Sequence, residues 1–123
     1  MSIKAEEFLL EAESSMKCED CSEVILRNAG SRSYYSLYHQ ALVKAENLGI
    51  AACPDSSSGV HEQLAIRFEL HNHRAKVFAT LLRRLKRNRN RCDYKLNDEV
   101  DKRFINQHLR SVKKALTDLD YLQ

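Results

Sequence analysis

VFATLLRRLKRNRNRCDY, residues 77–94, decides how the chain folds. Val77, Phe78, Leu81, Leu82 and Leu85 recur at the three- and four-residue spacing of an amphipathic helix. At 100° per residue Cys92 falls within about 20° of Leu85, so the apolar seam runs on to it. The remaining faces are strongly basic: Arg83, Arg84, Lys86, Arg87, Arg89 and Arg91 lie within nine residues. The whole chain has a formal net charge of +3, so everything outside that run sums to 3 − 6 = −3. Basicity is therefore local, and a local basic stripe points to a polyanion or an acidic partner.

Working outward, the rest of the chain also reads as helix. A first helix is predicted from about Ser2 to Met16 on Ile3, Phe8, Leu9 and Ala12. A second stretch starts near Asp20 with Val24, Ile25 and Leu26. Gly30 either kinks it or ends a short helix before Ser31–Leu48, where Tyr34, Tyr35, Tyr38, Leu42 and Ala45 share a face. Gly49 fits a C-cap. Ala51 to Gly59 is a loop, because Pro54, the serines and Gly59 oppose helix continuation. A third helix begins near Val60 with Leu64, Ile66, Phe68 and Leu70, and a break is expected around His71–His73. Tyr94 to Asp98 forms a shorter connection, and Asn97 or Asp98 can N-cap the last helix. That helix, to about Leu122, places Phe104, Ile105, His108, Val112, Leu116 and Leu119 on an apolar face. The prediction is an all-α, antiparallel up-and-down bundle of four main helices plus a short extra one, forming one domain over residues 1–123.

Composition agrees with this architecture. The chain of 123 residues is 43% hydrophobic and 30% charged, with three glycines and one proline, which favours long helices over many-turned β structure. No apolar run reaches the length of a membrane span, and the first residues lack the apolar core of a secretory signal. A cytoplasmic protein with no membrane role and reduced thiols is expected. Cys18-x-x-Cys21 has half the spacing of a zinc site but no second tight pair comes after it, so neither metal nor cofactor is expected and separate thiols are the favoured reading. A structural disulfide ranks below both in a reducing compartment.

SRSYYSLYHQALVKAENLG, Ser31 to Gly49, and RNRNRCDY, Arg87 to Tyr94, together resemble the HEPN domains, the higher-eukaryote and prokaryote nucleotide-binding family of helical bundles. Arg32, Tyr34-Tyr35 and Tyr38-His39 match its second helix, and Ser58-Gly59 matches the step that opens the intervening helix. The resemblance covers nearly the whole chain. Ribonuclease members carry an Arg, commonly a polar residue, then a His four to six residues on, often before Asp-Tyr. Aligned on Asp93-Tyr94, this chain has Arg87-Asn88 and then Cys92 at the histidine position. A branch of small stand-alone members reads Arg-x-x-Ala-Asp-Tyr, which Arg89 to Tyr94 fits with Cys92 in place of Ala.

The resemblance implies a homodimer whose third-helix motifs meet in a shared groove. It also implies an RNA-directed activity of toxin–antitoxin or phage-defence type, metal-independent cleavage included. The motif residues Arg87, Arg89, Cys92, Asp93 and Tyr94 are then the candidate catalytic set. The alternative is a non-catalytic module that binds a nucleotide or a partner protein, such as a nucleotidyltransferase or an antitoxin.

The chemistry turns on Cys92. Cleavage needs a base for the 2′-hydroxyl proton and a cation for the phosphorane, and histidine suits the first task. A free thiol with a pKa of about 8.5 is mostly protonated at neutral pH unless arginines lower it. Binding therefore survives this residue better than catalysis does. Core packing is the favoured reading of Cys92 over a reactive thiol. Arg89 borders the buried side, where it can pair with Asp93 or join a composite site. Arg84, Arg87 and Arg91, with Arg32 on the second helix, are the candidate phosphate contacts; a solvated face is the competing reading. His39 is a secondary candidate for proton transfer. Tyr34, Tyr35 and Tyr38 fit core packing better than base stacking. The spacings Arg32–His39 and Arg67–His73 satisfy the ribonuclease pattern on the wrong elements and are decoys.

Overall fold

A computed structural model describes residues 3–54 and 57–123. Among the described residues there are five helices: α1 Ala5–Ser15, α2 Glu23–Asn47, α3 Val60–Glu69, α4 His73–Tyr94 and α5 Lys102–Asp120. The predicted all-α bundle is the observed one, with no strand among the described residues. The expected loop lies between α2 and α3, with Asp55 and Ser56 outside the described residues, as is Ser2. The expected break at His71–His73 is also present. It separates α3 from α4, and Asn72 caps α4 by accepting a hydrogen bond from the Ala75 amide at 2.9 Å.

Several expectations about boundaries are not met, and α1 starts at Ala5 rather than near Ser2. α2 starts at Glu23 rather than near Asp20, because the Ser22 hydroxyl accepts from the Ile25 amide. Gly30 does not end α2, which runs unbroken through it. α5 is capped by Asp101, which accepts from the Phe104 amide at 2.8 Å, so Asn97 and Asp98 stay in the connection. Gly49 does close α2, with φ +66° and paired bonds from Ile50 N to Ala45 O and from Gly49 N to Glu46 O. That left-handed turn is open to glycine at little cost.

The order of cross-helix contacts fixes directions. Arg91, Asn88 and Arg84 of α4 meet Phe104, His108 and Ser111 of α5 in turn, so the two helices are antiparallel. Likewise Glu62 and Phe68 of α3 meet Arg83 and Phe78 of α4. α2 and α5 run parallel, tied near one end by His108 to Gly30 and near the other by Lys44 to Asp120. α2 touches all four other helices and forms the centre of the bundle.

Most of the apolar interior is one cluster built on Tyr34, Leu37, Phe68, Phe78, Leu82, Leu85 and Val112. A second, smaller cluster joins Ala12, Leu26, Ala29, Cys92, Ile105 and Leu109 under α1. Tyr35 and Leu70 leave the faces predicted for them and are exposed, Tyr35 packing edge-on to Phe8 of α1. Cys18 and Cys21 correct the expectation of separate thiols: their sulfurs are bonded, since the short α1–α2 turn brings the two Cα atoms to 5.4 Å.

Candidate functional site

The basic helix α4 serves three neighbours, and the fate of each cation depends on its azimuth. The face turned towards α2 holds the motif. Arg89 Nε meets Asp93 Oδ2 at 2.6 Å, one turn away, and the guanidinium lies 5.6 Å from the Tyr94 ring. Asp93 also accepts from the Ser31 hydroxyl of α2 at 3.2 Å. Asp93 thus links an ion pair within α4 to a hydrogen bond with α2, and Tyr94 is exposed beside it.

Cys92 is a core residue at 2% exposure, set against Gly30. Burial, and then the nearby Asp93 carboxylate, push its thiol up to about 11, despite Arg27 and Arg91. It is protonated near neutrality and closed to solvent, so as placed it offers neither a base nor a nucleophile. Arg91 is held as well. It donates to the Glu99 carbonyl and stacks over Phe104 at 4.4 Å.

Sequence patterns gave no sign of what closes this end of α4. Arg27 of α2 enters the interior and donates to the carbonyls of Arg91 and Cys92 at 3.0 Å each. It also reaches the carbonyls of Lys95 and Asp98. One guanidinium thereby supplies donors at the negative end of the α4 dipole, including one to the Cys92 carbonyl; that of Arg91 also accepts from the Lys95 amide. Glu23 pairs with it at 3.7 Å and accepts from the Val100 amide.

The flank facing α5 opens into a groove of about 530 Å³. Arg84, Arg110 and Lys114 bring positive charge to it, with Asn88, Gln107 and Ser111 as polar partners and no carboxylate among the lining residues. Arg84 donates to the Ser111 hydroxyl at 3.3 Å. Lys114 also pairs with Asp118 outside the groove, at 2.9 Å. The groove floor is held by His108, whose Nε2 lies 3.0 Å from the Gly30 carbonyl. That contact requires a proton on Nε2, so Nδ1 accepts from the Asn88 amide at 3.2 Å. Burial pushes the imidazole down to about 4 and keeps it neutral. Arg110 and Lys114 share the polar side of α5 with Gln107 and Ser111. Helical spacing in the sequence shows that side; its apposition to Arg84 is tertiary.

The third flank faces α3 and α2 and holds a cavity of about 250 Å³. Arg87 is at its rim, and Lys86 and Arg83 form its wall. Arg83 makes paired bonds to Glu62 and a further one to Glu69, both on α3. Across the cavity Tyr34 of α2 and His61 of α3 meet, hydroxyl to Nδ1, at 3.1 Å. His61 is a site residue that the sequence motifs did not single out. The signal for it was its place in the first turn of the helix opened by Ser58-Gly59.

The remaining candidates lie apart from these sites. Arg32 is exposed over Phe8 of α1 at 5.7 Å. His39 packs edge-on against Tyr35 at 4.3 Å and Tyr38 at 5.2 Å, outside the walls of both the groove and the cavity. Arg67 of the second decoy pair binds the carbonyls of Ile50 and Ala51 and the Glu46 carboxylate, closing the turn after α2. No group of three or more metal-ligating side chains occurs among the described residues. None of their helices is long and apolar enough to cross a membrane. Comparison with protein-family models, with curated proteins and with solved structures gave no match.

Proposed function

We propose that the chain is an RNA-directed protein of the HEPN type that binds the phosphate backbone along α4. The observation that carries this reading is the α4–α5 groove, where Arg84, Arg110 and Lys114 converge with no carboxylate in the lining. Guanidinium and ammonium groups gathered without a counter-ion in the groove favour an external anion, and arginine can clamp phosphate oxygens in pairs. Arg87, exposed on α4 three residues from Arg84, lines the neighbouring cavity rather than this groove. Arg89, Asp93 and Arg91 support it from behind by fixing the end of the helix.

Binding without motif-based cleavage is the version the geometry favours. Transesterification at the motif needs a base at position 92, and Cys92 is buried and protonated. The same observation favours the second reading, a non-catalytic module acting with a nucleotidyltransferase or antitoxin. A cytoplasmic homodimer fits either reading. Tyr94 and Leu96, exposed at the end of α4, offer apolar surface to a second copy.

A gel-shift series with single-stranded RNA separates the two readings. RNA binding gives a shift that weakens steeply with salt, whereas a purely protein-binding surface gives none at low salt. Incubation of the pure chain with total RNA in EDTA addresses cleavage, and intact RNA is the expected result.

A further inference from the structure

The cavity between α2, α3 and α4 is chemically unlike the groove. Its floor is Leu82 and Ala65, so a ligand there leaves bulk water. Its walls carry three cations, Arg83, Lys86 and Arg87, against one carboxylate, Glu62. Arg83 already holds Glu62 at 2.9 Å and Glu69 at 3.0 Å, which absorbs that charge. Lys86 and Arg87 form no ion pair among the described residues; Lys86 donates to the Asn90 side chain at 3.1 Å. His61 is turned to the same space, one ring nitrogen against the Tyr34 hydroxyl and the ring tilted on Tyr38 at 4.5 Å. Two cations and an imidazole thus share a partly dry pocket with no anion of their own.

We infer that this cavity binds the phosphate group of a phosphomonoester, with Lys86 and Arg87 holding its oxygens and His61 taking up a proton from solvent as the anion enters. The volume exceeds one phosphate group, and the apolar floor with the Tyr34 ring suits the ribose or base attached to it. The ligand is either a free mononucleotide or the 5′ end of an RNA. This cavity alone carries the inference, independently of the groove between α4 and α5.

Every charged neighbour of His61 bears on the linkage. From α2 it sees Tyr34, Tyr38 and His39; from α3, Glu62; from α4, Arg83, Lys86, Arg87 and Arg89. Burial, and then Lys86, Arg89 and His39, hold the imidazole down to about 4. Burial also lowers Lys86, assisted by Arg89 and opposed by Asp93. A bound phosphate opposes each of these cations and raises His61. By reciprocity, binding then tightens as the pH falls between the free and bound midpoints.

Histidine side-chain NMR of the full chain tests this directly. His61 is followed with pH alone, and with AMP, inorganic phosphate, or short RNAs bearing a 5′-phosphate or a 5′-hydroxyl. The expected result is a midpoint raised by about one pH unit or more by AMP or by the 5′-phosphorylated RNA, which tells the two sources apart. Between the free and bound midpoints, affinity for that probe should rise by up to about tenfold per pH unit lowered, and Lys86→Gln should weaken it about tenfold. The inference is overturned if none of the probes moves His61, if inorganic phosphate alone does, or if a folded Lys86→Gln variant binds as tightly as the parent. Failure here leaves salt-dependent RNA binding in the groove untouched, so the two claims fall separately.

Discussion

At Gly30 a Cβ built on the backbone would stand 2.5 Å from Cys92 Sγ and 3.1 Å from Ile105 Cδ1. The glycine is therefore a notch that lets α2 approach α4, and the residue opposite must be small. This accounts for a Cys at position 92 without invoking reactivity. Gly30→Ala should destabilise the chain despite the better helix propensity of alanine, and adding Cys92→Ala should recover part of that loss, a coupling that a double-mutant cycle in denaturant measures. Equal losses in the single and double variants would contradict the notch. Cys92→His forces a larger ring into the same space and should cost about 1–3 kcal/mol without conferring cleavage. Arg27 was invisible as a functional element in the sequence because its four carbonyl partners lie more than sixty residues away. Arg27→Met keeps much of the stem but leaves the Cys92 and Asp98 carbonyls without that donor, while those of Arg91 and Lys95 keep their backbone partners. It should cost about 2–4 kcal/mol, with amide exchange accelerated over the last turn of α4. His108 supplies a pH dependence of known sign. Its folded pKa, about 4, lies below its ordinary 6.5, so the unfolded chain binds the proton first as pH falls. The contribution is complete above pH 6.5 and is lost progressively between 6.5 and about 4, by up to roughly 3 kcal/mol. Denaturant titrations across that range should show this slope, to which His61, lowered likewise, adds, and His108→Gln should reduce it without abolishing it.

Among the elements, α4 was the most legible and also the most deceptive. Its helical period and its end near Asp93-Tyr94 come from spacing alone, because Leu82, Leu85 and Cys92 fall on one seam. The division of the six cations from Arg83 to Arg91 among three neighbours does not, since it depends on what packs on each flank. Arg83 is spent on Glu62 and Glu69, Arg89 on Asp93 and Arg91 on Phe104, while Arg84 and Arg87 stay available. Substitutions should sort accordingly. Arg83→Ala and Arg89→Ala should lower thermal stability with little effect on RNA affinity beyond that of one lost charge. Arg84→Ala should weaken RNA binding while leaving the melting temperature within about a degree or two. Equal effects of Arg84→Ala and Arg89→Ala on RNA affinity would contradict the assignment. Cap residues explain the boundary errors. Ser22 and Asp101 each compete with other polar residues nearby, and only the tertiary path of the chain chooses between them.

For the whole molecule, few glycines, one proline and four stretches of helical period were enough to specify a bundle. The two sites were not equally accessible from sequence. The groove needs α5 beside α4, which puts Arg110 and Lys114 next to Arg84 across a connection of seven residues, 95–101. The cavity needs α3 folded back on α4, which brings His61 to Tyr34 and Lys86. Neither apposition has a local signature, whereas the basic stripe does. Salt dependence of RNA binding, measured for the parent chain and for the Arg84→Ala/Arg110→Ala/Lys114→Ala variant, tests the central claim most directly. At about 0.7 per phosphate contact on a single strand, losing three contacts should reduce the slope of log affinity against log salt by about 2. An unchanged slope in the folded triple variant, or no RNA binding by the parent chain at low salt, would contradict the account.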